Sequence, residues 1–400
     1  MRNTACAALL LALLFNTGLA LAGESETAAP GLGRNAALTY WRAFALSPEM
    51  TDDEWNIVIS PSRGTEPPKA SAEKKAELVR DWELALGLMH EAVAIPQCDW
   101  GIDYDKKNDP WHLQVPYLSK GRQLARAAAF RAKCFWEKGQ RKEAADDLRA
   151  TLIMARRLGN DGRDTVIGML VQLSIESMVQ RATAQLLTDR ESAEFFADVL
   201  RDFDNGSSSL LSKNAILAEK NAVIPWLRRE FASHPDFGER LADLGWFVAS
   251  QASQEEKEVH AKLPQLQQAD AQKLLDETDK QFDEFAAISA LPFLEFHAKL
   301  PALLDKMKVS ENLLSAFCLW GNLPTIRDED EKGRIRWAMV RAAIEFRREG
   351  EKAFSEIMEP SDGKPFLYTA LEGGAFELKS AMQVREENIV MTFGQRPAVK

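Results

Sequence analysis

Five histidines, at 90, 112, 234, 260 and 297, are the natural starting point for chemistry. No two of them stand three or four residues apart, the spacing that puts two imidazoles on one helix face around zinc. His90-Glu91 opens like the zinc-protease motif H-E-x-x-H, but Ala94 stands where the second histidine belongs. A lone histidine on a helix reads as a packed or surface residue. Asp103, Asp105, Asn108 and Asp109 crowd one stretch as a calcium loop would. Counted from Asp103, however, the sixth position is Asn108 rather than Gly and the twelfth is Gln114 rather than Glu, so the calcium pattern fails. There is no G-x-S-x-G elbow and no glycine-rich phosphate loop. Cys98 has Asp99 beside it, which opposes thiolate formation. No catalytic residue, metal or cofactor is therefore assigned.

The stretch Pro96–Pro116 is the most informative irregular one. It holds Trp100, Asp103, Tyr104, Asp105, Trp111 and His112 without a helical period, and loops this long tend to be functional. Aromatic side chains beside acids could make a recognition surface, because Trp and Tyr are favoured interface anchors. The competing reading has Trp100 and Trp111 plugging the end of a helical stack.

Composition limits the partners. Across 400 residues, Lys plus Arg is 50 and Asp plus Glu is 60, a net charge of −10. That argues against a sequence-independent nucleic-acid binder, which needs a basic surface. The first residues have the form of a secretory leader over 1–22: Arg2, the apolar run Ala5–Phe15, and Ala20-Leu21-Ala22 before Gly23. The run is shorter than the roughly 20 residues a span needs, so the expectation is cleavage, export to the periplasm or beyond, and no membrane span afterwards. Cys98, Cys134 and Cys318 would remain, an odd number. They are either one disulfide and one thiol or three small buried hydrophobes, the latter being how free cysteines usually behave.

The elements that would position any site are helical. Residues 23–34 read as a flexible lead-in, 35–358 as a helical domain and 359–400 as a small β-hairpin tail. Asn35 is the cap of a helix Ala36–Leu46 that buries Tyr40, Trp41 and Phe44. Ser60–Pro68 reads as a loop. Val79, Trp82, Leu86, Met89 and Val93 step by three and four down one helix face, which Pro96 terminates. Leu124–Lys138 is rich in alanine and stops at Gly139. Ala144, Leu148, Thr151, Ala155 and Leu158 form the next stripe, up to Gly159.

Asp164 is the expected cap of a helix whose run Val166–Leu173 is apolar nearly all round, and which should be central. Helices follow over Glu191–Phe203 and Leu210–Phe231, the second kinked or ended by Pro225. Leu275, Thr278, Phe282, Phe285 and Ser289 mark a later one, and Ile335, Met339, Ala342 and Phe346 the last. The acidic run Asp328–Glu331 reads as a solvated face ahead of that last helix, with Arg347-Arg348 near its end, an order that complements the dipole. In the tail, Phe366 and Tyr368, then Phe376, Leu378 and Ser380, alternate at period two around Glu372-Gly373-Gly374, a hairpin signal, with a third strand at Ile389–Phe393. The fold class is mainly α: antiparallel helical hairpins, tetratricopeptide-like or an irregular α-solenoid, with a small C-terminal antiparallel β appendage.

Residues 125–158 resemble one tetratricopeptide unit, with Ala132, Phe135, Gly139, Ala144 and Leu148 at its packing and turn positions. Ala128, Arg131 and the lack of a closing proline depart from it. Asn35-Ala36-Ala37-Leu38-x-Tyr40 and Cys98-Asp99-Trp100-Gly101 resemble a group of exported proteins of planctomycete and verrucomicrobial bacteria. So does Pro360-x-Asp362-Gly363-Lys364-Pro365-Phe366-x-Tyr368, which is also similar to the C-terminal β region of secretion-system pseudopilins. The resemblance implies export and a helical body and supplies no catalytic residue. The expected function is a scaffold that binds an envelope protein or peptide. An envelope hydrolase with its site near 96–116, and an accessory of a secretion or pilus-like assembly, are the alternatives.

Overall fold

The structure is a computed structural model that describes residues 34–63, 70–102, 115–159, 165–201, 211–249, 254–309, 312–319, 323–350 and 357–394. The leader, most of the lead-in, Asp164 and the acidic stretch 103–114 lie outside the described residues. The chain is mainly α, with a small three-stranded antiparallel sheet at its C-terminal end.

Helix α1 spans Ala36–Ala45, and the Asn35 side chain accepts from the Ala37 amide at 3.0 Å as its cap. Its buried residues Ala36, Ala37, Tyr40, Ala43 and Phe44 fall on one stripe, while Trp41, off that stripe, stays 37% exposed rather than buried as expected. Helix α2 spans Asp52–Arg63. Thr51 and Glu54 start it as a capping box: the Thr51 amide donates to the Glu54 carboxylate (2.8 Å) and the Glu54 amide to the Thr51 hydroxyl (3.4 Å). Ser60–Arg63, expected in a loop, are helical despite Pro61. The proline sits in the last turn, and the Ser60 and Ser62 hydroxyls donate to the carbonyls of Asn56 and Ile59. The stripe Val79–Val93 is divided between α3 (Ala72–Asp81) and α4 (Glu83–Val93), which meet at the buried Trp82.

Helices α5 (Pro116–Glu137) and α6 (Arg141–Gly159) form a hairpin. Gly139 turns it at φ +79°, and Gln140 donates back to the Phe135 carbonyl (2.9 Å), a left-handed C-cap closure that suits glycine. Gly121 lets the two helices close, since a Cβ there would meet Leu158 Cδ1 at 2.3 Å. Next comes α7 (Val166–Leu186), capped by Thr165 through the Gly168 amide rather than by Asp164. It packs on α2, α5, α6 and β3, and on two later helices, α9 (Leu211–Ser233) and α15 (Leu323–Glu349), so it is central as its apolar run predicts. Helix α8 (Arg190–Arg201) precedes α9, which continues past Pro225 to Ser233 and so is not ended by it. The series continues with α10 (Phe237–Ala249), α11 (Gln254–Lys262), α12 (Gln268–Ser289), α13 (Phe293–Val309) and the short α14 (Leu313–Leu319). Helix α15 then returns to α7 and α8.

The acidic run Asp328–Glu331 lies inside α15 rather than ahead of it, and Asp328, Asp330 and Glu331 are buried. The solvated-face reading is therefore wrong. Those acids meet basic partners: Arg327 and Arg334, within a turn on α15, donate to Glu331 at 2.7 Å each, and His297 and Arg385, from distant positions, bond the two oxygens of Asp328 at 2.9 and 2.7 Å.

Strands β1 (Leu367–Ala370), β2 (Phe376–Val384) and β3 (Glu387–Phe393) follow chain order. Phe376 faces Phe393 and Leu378 faces Met391, so the period-two residues of β2 share the inner face with those of β3, while Tyr368 of β1 is exposed. That face stacks on Phe346 of α15 (centroid to Phe376, 4.8 Å), and Gly394 donates to the Ala184 carbonyl of α7. The strands thus share a core with α5 to α8 and α15. Cys98, Cys134 and Cys318 remain thiols. Burial pushes the Cys134 thiol up to about 11. No helix among the described residues is long and apolar enough to cross a membrane.

Candidate binding site

The site grows from Asn35. Its side chain donates to the Asp99 carbonyl (2.7 Å) and accepts from the Asp99 amide (2.9 Å), and the Ala36 amide donates to the Gln97 carbonyl (2.8 Å). One residue therefore caps α1 and holds the Cys98–Gly101 turn against it. The Asp99 carboxylate accepts from the Gly101 amide at 2.8 Å, and Gly101 takes φ +69°, a left-handed bend that glycine adopts without a Cβ clash.

This turn delivers Trp100 into a set of rings. It stacks on Tyr117 (4.5 Å between centroids), Tyr40 (5.7 Å) and Phe44 (6.2 Å), with Trp41 edge-on at 6.4 Å. Its indole Nε1 donates to the Arg157 carbonyl at 2.8 Å. Arg157 donates in turn to the carbonyls of Ala92, Val93 and Ile95 at the C-terminal end of α4, where Ala92 also accepts from the Ile95 amide. Burial pushes the Tyr40 hydroxyl up to about 12, against the pull of Arg157. Trp100 is accordingly half-buried among rings of α1 and α5. Asp103, Tyr104, Asp105, Trp111 and His112 lie outside the described residues.

Beside this ring set, sharing Trp41 and Phe44 with it, opens a cleft of about 690 Å³. Trp41, Phe44 and Ala45 of α1 form one wall, Met50 and Trp55 the second, and Pro116, Lys120 and Gln123 of α5 the third. Glu49 and Lys120 supply charges of both signs at the rim. The volume is in the range of ligand pockets, roughly 300–1,000 Å³. Trp, Phe and the adaptable thioether of Met are what apolar side chains pack against. The signal for Trp41 was present in the sequence: it is a large aromatic one position off the buried stripe of its helix.

Two histidine–aspartate contacts lie elsewhere. His90 of α4 meets Asp147 of α6 (2.7 Å), whose two oxygens also take 2.8 and 2.6 Å bonds from Arg131 of α5. His297 of α13 meets Asp328, which Arg385 also bonds. Each aspartate is buried and shares its charge with an arginine, so these contacts tie elements together. Among the described residues, no group of three or more His, Cys, Asp or Glu is gathered as a metal ion would need.

No protein-family model matches the chain, and neither a curated protein nor a solved structure shows significant similarity to it.

Proposed function

We propose that this chain is an exported binding protein that takes an apolar segment of an envelope protein or peptide into the Trp41–Trp55 cleft. One observation carries the reading: an open cleft walled by Trp41, Phe44, Met50, Trp55 and Pro116, with charges of both signs at its rim. Open aromatic walls suit an extended segment that offers bulky apolar side chains, while Glu49 and Lys120 can meet its polar groups. The leader pattern at 1–22 supports the envelope as the place of action.

The test is capture from the host's envelope fraction by the tagged chain and by Trp41→Ala, with crosslinks mapped from Lys120. The expected result is a stoichiometric partner crosslinked at Lys120 and lost at least tenfold in the variant. Equal capture by both proteins, or crosslinks away from the cleft, sinks the reading.

A further inference from the structure

Where the last turn of α2 meets α5 and α7, arginines gather that make no ion pair among the described residues. Arg122 and Arg126 stand one turn apart on α5, and Arg126 lies within electrostatic reach of both Arg122 and Arg63, the last residue of α2. Arg181 of α7 donates its Nε to the Ser62 carbonyl, 2.9 Å away, and has Arg336 of α15 beside it. Arg122, Arg126, Arg181 and Arg336 are half-buried and Arg63 is exposed. Among the described residues none of the five has a salt bridge. The bond from Arg181 to Ser62 is their one hydrogen bond there. Among the described residues, Glu329 and Glu387 act electrostatically on Arg336 but are bonded by Lys332, at 3.1 and 3.2 Å.

This is an unusual arrangement in a chain of net charge −10. Withdrawing a guanidinium from water without a counter-charge is unfavourable, and facing it with a second one adds repulsion. Burial and the neighbouring arginines push the Arg126 and Arg181 pKa values down, the direction that uncompensated cations give. Each guanidinium offers a planar fork of donors that matches an oxyanion, and several converging forks outmatch a single carboxylate. We propose that this cluster is a binding site for a phosphoryl group, carried on a free phosphate or at the end of a larger molecule. Arg122 and Arg126 supply the forks from α5 and Arg63, at the end of α2, lies within reach of Arg126, while Arg181 and Arg336 form a neighbouring positive pair tied in through the Ser62 carbonyl. The site lies two turns along α2 from Trp55, about 12 Å at 1.5 Å per residue, and does not depend on what fills the aromatic cleft.

The experiment is thermal unfolding and titration calorimetry of the full mature chain in a phosphate-free buffer of low ionic strength. Pyrophosphate and inorganic phosphate are the probes, with sodium chloride at matched ionic strength as control. Pyrophosphate should raise the Tm by several degrees beyond the chloride control. The double variant Arg122→Gln/Arg126→Gln should lose that rise while unfolding no earlier than the wild type in phosphate-free buffer. A purely structural role would lower the variant's Tm instead. Arg63→Glu, at an exposed position, should weaken pyrophosphate binding at least tenfold and keeps the test decisive should the double variant fail to fold. Flotation with vesicles containing phosphatidic acid separates the sources. Binding to vesicles and pyrophosphate alike assigns a lipid headgroup, and binding to pyrophosphate alone a soluble ligand. A wild-type Tm rise no larger than chloride gives, or undiminished binding by the variants, overturns the proposal.

Discussion

Buried arginines occur in two settings in this helical body. In α15, Arg327 is fully buried and Arg334 half-buried, yet both donate to one Glu331 oxygen, and Ser361 donates to the other. Asp147 likewise gathers Arg131 and His90. Along the seam of α2, α5 and α7, half-buried arginines make no ion pair among the described residues. The same residue type thus fastens elements in the first setting, while in the second its charge is left for something outside the fold. The distinction lies in the acids, and substitutions on either side can break it or make it sharper.

The largest effect should come from Glu331→Ala. It strands Arg327 and Arg334 together, and removing one partner of a buried ion pair costs about 3–5 kcal/mol. Denaturant titration should show a fall of that size, with Glu331→Gln intermediate. A loss under 1 kcal/mol would mean that α15 does not depend on this cluster. Asp147→Ala comes next, at about 3 kcal/mol, because Arg131 loses both of its bonds to carboxylate. His90→Gln should cost well under half of that, since Arg131 still satisfies the aspartate.

The two adjacent acids of α15 should respond to pH in opposite directions. Burial pushes the Asp330 carboxyl up to about 6, against Arg327 and Arg334. Its folded value thus lies above the unfolded one, so its unfavourable contribution appears as pH rises from about 4 to 6 and persists above. Asp330→Asn should therefore stabilise at pH 8, on the order of 2 kcal/mol, and change little at pH 4. Burial raises the Glu331 carboxyl too, but Arg334 and Arg327 outweigh it and hold it below the usual carboxylate range. Its contribution is complete at neutral pH and is lost as the solution is acidified through that lowered value. Chemical denaturation of wild type and both variants from pH 3.5 to 8 checks both signs, and a parallel loss in the two variants would refute the contrast.

The smallest effect belongs to the open cluster. Arg122→Ala should stay within about 0.5 kcal/mol of the wild type. It should also flatten the rise of wild-type stability between 20 and 300 mM sodium chloride, since salt screens the repulsion that the variant removes. An unchanged salt slope would show that these charges do not repel.

What the sequence disclosed follows the same division. Apolar stripes, the Asn35 cap, the Gly139 turn and the period-two tail were legible because their partners lie within one helical turn or one hairpin. The acidic run Asp328–Glu331 was misread because its meaning depends on His297, Ser361 and Arg385, tens of residues away. The arginine cluster escaped for the same reason, its members lying on four helices. Pro61 misled because the packing of α2 outweighs the local cost of a proline in its last turn. At the candidate site, Trp100 was singled out, and it packs against Trp41 and Phe44 of the cleft wall rather than lining the cleft itself. Trp41 was assigned to the core, because helical spacing alone does not tell which flank of a stripe faces water.

The turn between β2 and β3 has a bearing on the order in which this molecule assembles. Arg385 and Glu386 both lie in the left-handed region, at φ 55° and 64°, the pattern of a tight type I′ hairpin normally built from asparagine and glycine. Each residue costs about 1 kcal/mol there, so the hairpin has little tendency to close unaided. The bond from Arg385 to Asp328 offsets that cost only once α15 is in place. The sheet is then a late event in folding, laid onto a helical body that already exists. Arg385→Gly should speed its closure while loosening its attachment, a trade visible as faster refolding together with faster unfolding.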